Sequence, residues 1–562
     1  MEEVKGELKE NVPEKDIEQR KSKLSKFFFG WVKDNYDKAF LFILAIAFAI
    51  GIWIFFTTKG QPLWYDAANF LSTAKKWAFN LNNVNDIWYY RRGFLWVLIC
   101  ELFFKLGLGE IGIQFSGVLF YIGFVFVSYF LLKEMFEKKI ALFATSLLAF
   151  SWVLLFFIGR CMTDIPAAFF LILSLFFFWK GYVLKKGNKY LYLFGFFFGI
   201  TALTRFEAMI FIFPFFVYIF INQKLKLFLD KKIWITIGIF LLTILPHLIL
   251  YSLHYGFFLN DIFSYYLGIG TTVAGSAASS ASSATFSNLF DYFRDFPYLL
   301  TTILLVAFII GALYFFANLF IGADKVFKDK EIQKKFFIFV WILFPLFVLG
   351  WINAGAIEER YIVPIFPFLF LIVAIPFIKI QELAVKHLKM KQSIAIVLVF
   401  LILLGTTIPG IIWANNLIDN KKTSYLPVEE SALWLNANSN PNDVVLSKSI
   451  PYITYYAERS CNDPIGDNVT EFEKNITQSK PRFLMISLFE SHPTWMIQQF
   501  SQQGYNVISI PYMNSTIAIS QTTGQIASLD LKPSVNKGFA TFNLVYPKNS
   551  LDGVFIYEIK YH

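Results

Sequence analysis

The sequence predicts a polytopic α-helical membrane protein that carries a small α/β domain at its C-terminal end. Three observations predict this class. The mean hydropathy is +0.54, with 56% hydrophobic residues among the 562. Long apolar runs recur up to about residue 413, and a more polar stretch follows from 425 to 562. Soluble domains do not sustain this hydrophobicity over such a length.

The chain begins with a charged segment before the first apolar run. The first 35 residues contain no cleavable signal pattern, so we expect a cytoplasmic tail (1–35) that leads into a signal-anchor helix. The net charge of +10 comes mostly from lysine-rich loops, which makes it a signal of membrane orientation and not of nucleic-acid binding. The three cysteines have no paired spacing, which argues against a disulfide framework or a thiolate metal site.

Eleven apolar runs are predicted to cross the membrane within a transmembrane domain at 36–413. They lie at 38–57, 112–132, 140–158, 165–181, 190–204, 206–222, 233–253, 297–320, 336–352, 361–378 and 393–413. A twelfth run, 94–107, contains Glu101 and Lys105 and is too short for a hydrocarbon core of about 30 Å. We expect that run to form an interfacial helix.

The lysines predict the orientation of these spans. With eleven spans, the loops on one side together hold twenty lysines and no arginine: 133–139, 180–189, 223–232, 321–335 and 379–392. The positive-inside rule makes that side cytoplasmic. The N-terminus is then inside a cell (plasma) membrane, while the loops 58–110 and 254–296 and the domain 425–562 lie outside.

The C-terminal domain, 425–562, has the pattern of alternating helices and strands. We predict helices at 428–437 and 493–503, and strands at 443–447, 482–488, 505–510 and 553–560. The domain lacks a G-x-G-x-x-G segment, so a dinucleotide-binding role has no support.

All the arginines between Lys21 and Trp413 fall on the predicted outer side. They are Arg91, Arg92, Arg160, Arg205, Arg294 and Arg360. Lysine alone suffices to fix orientation, whereas the planar guanidinium is suited to phosphate. The segregation predicts an outward-facing site for a phosphate-bearing ligand. Arg294, beside Asp291 and Asp295, is expected to be structural.

Two aspartates stand at predicted helix starts on the same side. Asp66 follows the first span in Gln61-Pro-Leu-Trp-Tyr-Asp66, and Asp164 follows the third in Arg160-Cys-Met-Thr-Asp164-Ile-Pro166. Each has a structural alternative as a helix N-cap, a role that stabilises a helix by about 1 kcal/mol. Two aspartates beside arginines on separate loops favour a chemical role in addition.

Three further constellations have structural alternatives of their own. Arg205 and Glu207 lie at a tight junction between spans, where an ion pair would stabilise a helical hairpin. The segment 358–361, Glu-Glu-Arg-Tyr, precedes a span, where its arginine would snorkel towards the surface. The segment 88–92, Trp-Tyr-Tyr-Arg-Arg, would anchor an aromatic belt.

At these residues the chain resembles the GT-C superfamily of glycosyltransferases that use polyprenyl-phosphate sugars. The closest resemblance is to dolichyl-phosphate-mannose protein mannosyltransferases and lipid A aminoarabinose transferases, which are glycosyltransferase families 39 and 83. The matching features occur in order: Asp66, Asp164, Gly195 and Gly199 before Arg205, the R-Y-x-x-P-x-x-P segment from Arg360 to Pro367, Ala432-x-Trp434-Leu, Asp443-Val-Val and Tyr455-Tyr-Ala-Glu-Arg459. Many protein mannosyltransferases carry an Asp-Glu pair where Ala67 follows Asp66 here, which weakens a protein-mannosylation assignment more than the superfamily assignment.

The resemblance implies a transferase that moves a hexosyl or pentosyl group, with inversion, from a polyprenyl (dolichyl) phosphate to a hydroxyl of a protein, lipid or glycan. It implies that Asp66 is the general base and that Asp164 orients the acceptor or shapes its site. The candidates for donor-phosphate binding are Arg91, Arg92, Arg205 and Arg360, because charge develops on the leaving phosphate. The supporting candidates are Glu207, Glu358, Glu359, Tyr361 and Arg160, the last as a residue that positions Asp164 or the acceptor.

A divalent metal stays open as a cofactor, because the oligosaccharyltransferase branch uses one and the mannosyltransferase branch is usually drawn without. Two rival functions also stay open. One is a flippase or transporter of lipid-linked sugars, which would need a polar route across the bilayer. The charges cluster instead at the outer end. The other is a non-catalytic protein on the same scaffold, against which the retained acids and arginines argue.

Overall fold

The computed structural model describes residues 31–88, 92–256, 285–352, 357–464, 468–523, 526–547 and 553–562. A bundle of helices precedes a domain that contains two β-sheets. The bundle helices are α1 (Asn35–Thr58), α2 (Tyr65–Phe79), α3 (Leu95–Lys105), α4 (Gly109–Met135), α5 (Lys138–Ala149), α6 (Trp152–Phe157), α7 (Asp164–Phe178), α8 (Asn188–Thr204), α9 (Ile212–Gln223), α10 (Lys231–Tyr255), α11 (Asp291–Arg294), α12 (Phe296–Leu299), α13 (Thr302–Ile321), α14 (Lys330–Ile352), α15 (Phe366–His387) and α16 (Gln392–Lys421).

Within the described ranges, nine helical segments are long and apolar enough to cross a membrane. They are Asn35–Thr58, Gly109–Met135, Asp164–Val183, Phe206–Leu229, Lys231–His254, Thr302–Ile321, Lys330–Ile352, Glu359–His387 and Gln392–Asn438. Several include a short 3-10 or π-helical segment that extends an α-helix. The π-helical segment is Trp179–Val183, and the 3-10 segments are Phe206–Phe211, Lys224–Leu229 and Glu359–Ile365. Each of these nine overlaps a predicted span.

The other two predicted spans are also helical but differ from a simple crossing. The run 190–204 forms α8, which has 17 residues. The run 140–158 is not one helix, because α5 ends at Ala149 and α6 begins at Trp152 after an extended Ser151. The Tyr121 hydroxyl donates to the Ala149 carbonyl (2.5 Å) and the Trp152 indole donates to the Leu299 carbonyl (3.0 Å), so side chains satisfy groups at the break.

The segment 94–107 forms the short helix α3, as its length and charges predict. Eleven residues span about 16 Å at 1.5 Å per residue, which is half of a hydrocarbon core. The helix ends before Gly107, which has a φ of +74°, a backbone conformation that glycine adopts without strain.

The lysine-bearing loops meet at one end of the bundle. Lys186 Nζ lies 2.8 Å from Glu134 Oε2, Lys139 donates to Gln381 at 3.0 Å, and the Lys334 ammonium donates to the Met135 carbonyl at 3.0 Å. These contacts join segments that the lysine pattern places on one side of the membrane. The C-terminal domain packs at the other end, against α2 and the N-terminal turn of α4.

The C-terminal domain begins with helix α17 (Leu426–Asn438) and also contains helices α18 (Ile450–Tyr452) and α19 (Val469–Ser479). Its strands are β1 (Val444–Leu446), β2 (Ser460–Asn462), β3 (Phe483–Ser487), β4 (Gln498–Gln502), β5 (Tyr505–Ile510), β6 (Ser515–Ser520), β7 (Ile526–Asp530), β8 (Ser534–Asn536), β9 (Ala540–Tyr546) and β10 (Val554–Tyr561). One sheet has the order β2-β1-β3-β10-β9-β8, with β1 parallel to β2 and β3, and a second, antiparallel sheet has the order β4-β5-β6-β7.

The predicted helix 493–503 is wrong. Residues 498–502 form β4, which pairs antiparallel with β5 through a two-residue turn at Gln503-Gly504. Both turn residues have positive φ, +48° and +84°, as hairpin turns that match strand twist require. The other helix and the four strands predicted for this domain are present.

The first loop is fastened to the C-terminal domain by side-chain hydrogen bonds. The Ser72 hydroxyl donates to the Thr454 hydroxyl at 2.7 Å, and Lys75 Nζ lies 2.7 Å from Glu458 Oε1. The Asn85 amide both donates to the Cys461 carbonyl (2.7 Å) and accepts from the Cys461 N–H (2.9 Å). Cys461 lies on β2, the edge strand of the larger sheet, so the loop occupies part of that edge.

The substitution Gly117→Ala should destabilise the protein, because a Cβ at Gly117 of α4 would overlap the carbonyl oxygen of Ile158 in the loop that leads to Asp164. Overpacking of this kind costs about 1–3 kcal/mol. We expect a lower melting temperature of the detergent-solubilised protein. Gly238→Ala on α10 is the matched control, because its Cβ would meet no atom within 4 Å. Equal melting temperatures for the two variants would contradict the expected overlap.

Candidate active site

Asp66 is the second residue of α2, and its carboxylate is bound by two arginines. Its Oδ1 accepts a hydrogen bond from Arg92 Nη2 at 3.2 Å, and its Oδ2 accepts one from Arg360 Nη2 at 3.2 Å. The side chain remains 31% exposed. The N-cap alternative for Asp66 is wrong, because Trp64 holds the N-cap position of α2.

Asp164 is the first residue of α7, and its side chain is only 1% exposed. Arg205 Nη1 donates to its Oδ1, and Arg360 Nη1 lies 3.9 Å from its Oδ2. The N-cap alternative is wrong here too, since Thr163 is the N-cap residue. Its position in the first helical turn gives the carboxylate a further favourable field from the helix dipole.

Arg360 connects the two aspartates and adds a third carboxylate. Its Nε lies 3.1 Å from Glu358 Oε2, while Arg205 Nε lies 3.7 Å from Glu207 Oε2. We call this connected set of charged side chains the arginine–carboxylate network. It consists of Arg92, Arg205 and Arg360 with Asp66, Asp164, Glu207 and Glu358.

The ring of Tyr361 packs against two arginines of the network. The guanidinium carbon of Arg205 lies 4.5 Å from the centre of its ring, and that of Arg360 lies 5.1 Å away. Both Arg360 and Tyr361 belong to the 3-10 turn Glu359–Ile365. Three residues per turn send neighbouring side chains in different directions, so Arg360 reaches the carboxylates while the Tyr361 ring lies beside it.

The network pushes the pKa values of its carboxyls in different directions. Burial raises the pKa of Asp66, but the charges of Arg92, Arg360 and Arg205 outweigh burial and hold it below its ordinary value. Burial raises the pKa of Glu358, where the nearby Asp164 and Asp66 act in the same direction and Arg360 opposes them. Asp66 is therefore the more acidic of these two carboxyl groups.

Arg160 packs against aromatic rings and is not among the cations that pair with Asp164 in the described residues, while its alternative role in positioning the acceptor stays a prediction. Its guanidinium carbon lies 4.3 Å from the centre of the Trp64 ring and 4.7 Å from that of Phe156. It is 3% exposed, and burial lowers its pKa to about 9. Its contacts join the start of α2 to α6 by cation–π stacking.

Two of the remaining predicted residues, Arg294 and Glu359, are described by the structure and are not part of the arginine–carboxylate network. Arg294 pairs with Asp291 at 2.8 Å and is 62% exposed, as a structural role predicts. Glu359 forms no ion pair with any cation in the described ranges. Arg91 lies outside the described residues.

A cavity of about 110 Å³ opens beside the network. Its polar wall contains Asp164, Arg205, Glu207, Arg360 and Tyr361. Its apolar wall comes from α7, α14 and the turns that precede α9 and α15, and contains Ala167, Ala168, Ala208, Ile210, Phe211, Leu349, Ile352 and Pro364. The cavity therefore suits a ligand with a charged head and an apolar continuation.

Tyrosines of the C-terminal domain border the site, which was not predicted from the sequence. The N–H of Leu63 donates to the Tyr456 hydroxyl at 3.2 Å, and the Tyr65 and Tyr452 rings lie 6.3 Å apart. Tyr425 stacks on Tyr452. Burial raises the pKa of Tyr425, and the charges of Glu490, Asp66 and Glu358 raise it further. The motif Tyr455-Tyr456 was the available signal, but nothing in it indicates a contact with residues near 65.

The residues present do not form an evident metal site. Among the part of the chain that the structure describes, no three histidine, cysteine, aspartate or glutamate side chains come together as ligands. Both Asp66 and Asp164 are already bound by guanidinium groups. We therefore derive no step through a metal.

The fold is that of the GT-C membrane glycosyltransferases. The oligosaccharyltransferase of Archaeoglobus fulgidus, crystallised with a tethered acceptor peptide, matches with a TM-score of 0.57 at 14% identity, over 82% of this chain and 70% of that one. ArnT from Cupriavidus metallidurans, bound to undecaprenyl phosphate, matches with a TM-score of 0.52 at 13% identity, over 84% of this chain and 96% of that one. At these identities the likeness concerns the fold.

Within that fold class, residues 92–250 match the family model described as dolichyl-phosphate-mannose-protein mannosyltransferase. A comparison with curated proteins gave no match. The resemblance to the GT-C superfamily drawn from the sequence is confirmed. The matched segment includes Arg92, Asp164 and Arg205 but begins after Asp66 and ends before Arg360.

Removal of the Asp164 carboxylate should strongly destabilise the protein, because it leaves the buried side of Arg205 and Arg360 without a counter-charge. Removing one partner of a buried ion pair costs about 3–5 kcal/mol of stability. We expect Asp164→Ala to lower the melting temperature far more than Asp419→Ala, which breaks an exposed pair with Lys422 worth at most about 1 kcal/mol. The double variant Asp164→Leu, Arg205→Met should recover part of the loss. Equal effects of the two alanine variants would contradict a buried network.

Proposed function

We propose that the protein is a glycosyltransferase that moves a sugar from a polyprenyl phosphate to a hydroxyl acceptor, with inversion at the sugar carbon. The observation that carries the proposal is the part-exposed Asp66 carboxylate, which is held between Arg92 and Arg360, the second of which also lines the amphipathic cavity. The mannosyltransferase family model and the fold shared with ArnT, which was crystallised with undecaprenyl phosphate, support it.

The guanidinium groups of the network are suited to the donor phosphate. Arg92, Arg205 and Arg360 are our candidates, together with Arg91 on the basis of sequence. Charge grows on the phosphate oxygen as the bond to the sugar breaks, and cations fixed in a partly buried site stabilise that charge most. The apolar wall of the cavity would receive the first carbons of the polyprenyl chain.

Asp66 is suited to take the proton of the acceptor hydroxyl. In this step the acceptor oxygen forms a bond to the sugar carbon, its proton passes to Asp66, and the polyprenyl phosphate leaves with the electron pair of the broken bond. The two arginines make Asp66 a weak base before the donor binds. A phosphate that draws Arg92 and Arg360 towards itself would return basicity to Asp66 in the loaded enzyme.

Asp164 has a different role in this proposal. Its side chain is nearly inaccessible and contacts Arg205, so it is suited to hold the phosphate-binding arginines and not to contact the acceptor. Glu207 lies beside the Nε atom of Arg205, and Glu358 lies beside the Nε atom of Arg360. In this proposal Asp164 is a positioning residue and Asp66 is a catalytic residue.

The proposal places the reaction on the outer face of the cell membrane, with the C-terminal domain outside and the N-terminus in the cytoplasm. This orientation rests on the lysine loops. A transporter of lipid-linked sugar would move its substrate across vesicles without breaking the sugar–phosphate bond. Release of labelled polyprenyl phosphate by the purified protein therefore separates the two functions.

The substitution Asp66→Asn should lower transfer by about 100-fold or more, because general-base catalysis contributes about 10²–10⁴-fold. The measurement is transfer of radiolabelled sugar from a polyprenyl-phosphate sugar to membrane acceptors by purified protein, alongside binding of polyprenyl phosphate. We expect donor binding to persist in the variant.

Glu101→Gln is the matched control, because Glu101 is an acid of the same loop that pairs with Lys105 outside the network. Its transfer rate should equal that of the unmodified protein. Wild-type turnover in Asp66→Asn would remove Asp66 from the chemistry.

The substitution Arg92→Gln should move the acid limb of the kcat/KM profile to higher pH. Arg92 lowers the pKa of Asp66, so the unmodified base is lost only as pH falls through a value below the ordinary one of 3.8. Without Arg92 the pKa of Asp66 in the folded protein rises, so protonation removes the base at a higher pH. Profiles from about pH 2.5 to 8 include both limbs and would measure the shift, with Arg294→Gln as the control. An acid limb that stays in place would contradict the role of Asp66 as the titrating base.

A further inference from the structure

A second and larger cavity lies between the first loop and the C-terminal domain. Its volume is about 490 Å³, and none of its walls belongs to the arginine–carboxylate network. Helix α2 contributes Tyr65 and Asn69 to one wall, and the loop that follows contributes Asn85, Asp86 and Trp88. The facing wall comes from β2 and α19. We call this cavity the interdomain cleft.

The lining of the interdomain cleft favours a neutral, hydroxyl-rich ligand. Side-chain amides recur in it, at Asn69, Asn462, Asn475 and Gln478, and no lysine or arginine is among the described residues that line it. The carboxylates are Asp86 and Asp463, the latter paired with Lys448 at 2.7 Å. Amides and carboxylates hydrogen-bond hydroxyl groups, whereas an anionic ligand would find no counter-charge on this lining.

Two buried polar atoms on the wall make no hydrogen bond to the part of the protein that the structure describes. They are Oδ1 of Asn69 and Nε1 of Trp88, and both side chains are at least nine-tenths buried. Buried polar groups are normally hydrogen-bonded, but these two atoms are inaccessible behind the wall, so they are not themselves contacts for a ligand in the cleft. The ring of Tyr65, which is 36% exposed, adds apolar surface on which a sugar face can pack.

An extended peptide fits the interdomain cleft less well. Peptides commonly bind beside a sheet by adding a strand to an exposed edge. The edge here is β2, but the Asn85 amide already takes both the N–H and the carbonyl of Cys461. A peptide strand would have to break both bonds before it could pair there.

The interdomain cleft is adjacent to the proposed base. Tyr65 precedes Asp66 directly, and Asn69 lies three residues after it on the same helix, a spacing that brings side chains within about 5–6 Å. A ligand that contacts Tyr65 and Asn69 could therefore place a hydroxyl at Asp66. From the amide lining, the blocked edge and this adjacency, we propose that the interdomain cleft binds the acceptor, and that the acceptor is a neutral glycan. The second part of this inference rests on the proposed transfer reaction.

Binding by the full chain in lipid nanodiscs tests the inference without any transfer. Saturation-transfer NMR would measure the affinity for mannobiose, cellobiose and chitobiose, with a Ser/Thr-rich peptide for comparison. Gln478→Trp and Asn462→Trp would fill the cleft from exposed positions. Thr477→Trp is the matched control, because Thr477 is an exposed residue of α19 that does not line the cleft.

We expect at least one disaccharide to bind and the filled variants to weaken it by about tenfold or more, with Thr477→Trp unchanged. Asp66→Asn should keep this binding, which separates the cleft from the chemistry. Absence of disaccharide binding, equal binding by the filled variants, or binding of the peptide alone would overturn the inference. Where transfer is measurable, the filled variants should raise the acceptor KM and leave donor binding unchanged. Transfer with an unaltered acceptor KM in the filled variants would overturn the assignment of the cleft as the acceptor site. The proposed transfer reaction would still stand.

Discussion

The contact of Arg360 with two aspartates is the interaction on which the rest of the site depends. Arg360 is 8% exposed, and its guanidinium lies between Asp66 on α2 and Asp164 on α7. It therefore holds together a loop helix and a membrane helix that share no backbone hydrogen bonds. A buried guanidinium requires compensating carboxylates, and those carboxylates require cations in turn, so the members of the network fix one another's positions.

The network also divides its carboxylates by access. Asp164 is enclosed and bound to Arg205, whereas Asp66 reaches solvent beside tyrosines of the C-terminal domain. A site that stabilises leaving-group charge needs cations that stay in place and a base that the acceptor can reach. The difference in burial supplies both from side chains of the same type.

Much of the fold followed from the sequence because membrane helices are specified locally. Apolar length located the bundle helices, lysine distribution grouped the loops that meet at one end, and the resemblance singled out Asp66, Asp164, Arg205 and Arg360. The pairing of these residues could not be predicted, since Asp66 and Arg360 are 294 positions apart. The helix expected at 493–503 failed for a related reason. A hairpin with the strand after Gly504 decided the conformation of this segment.

The Asn85–Cys461 hydrogen bonds have a consequence for the order of assembly. The two residues lie 376 positions apart, so ribosomes need on the order of tens of seconds to make the chain between them. During that interval the first loop waits without its partner sheet. The edge of β2 in turn is exposed until the C-terminal domain docks. Docking thus protects the sheet edge from pairing with other chains at the same moment that it completes the interdomain cleft, so a molecule whose last domain has not docked lacks both.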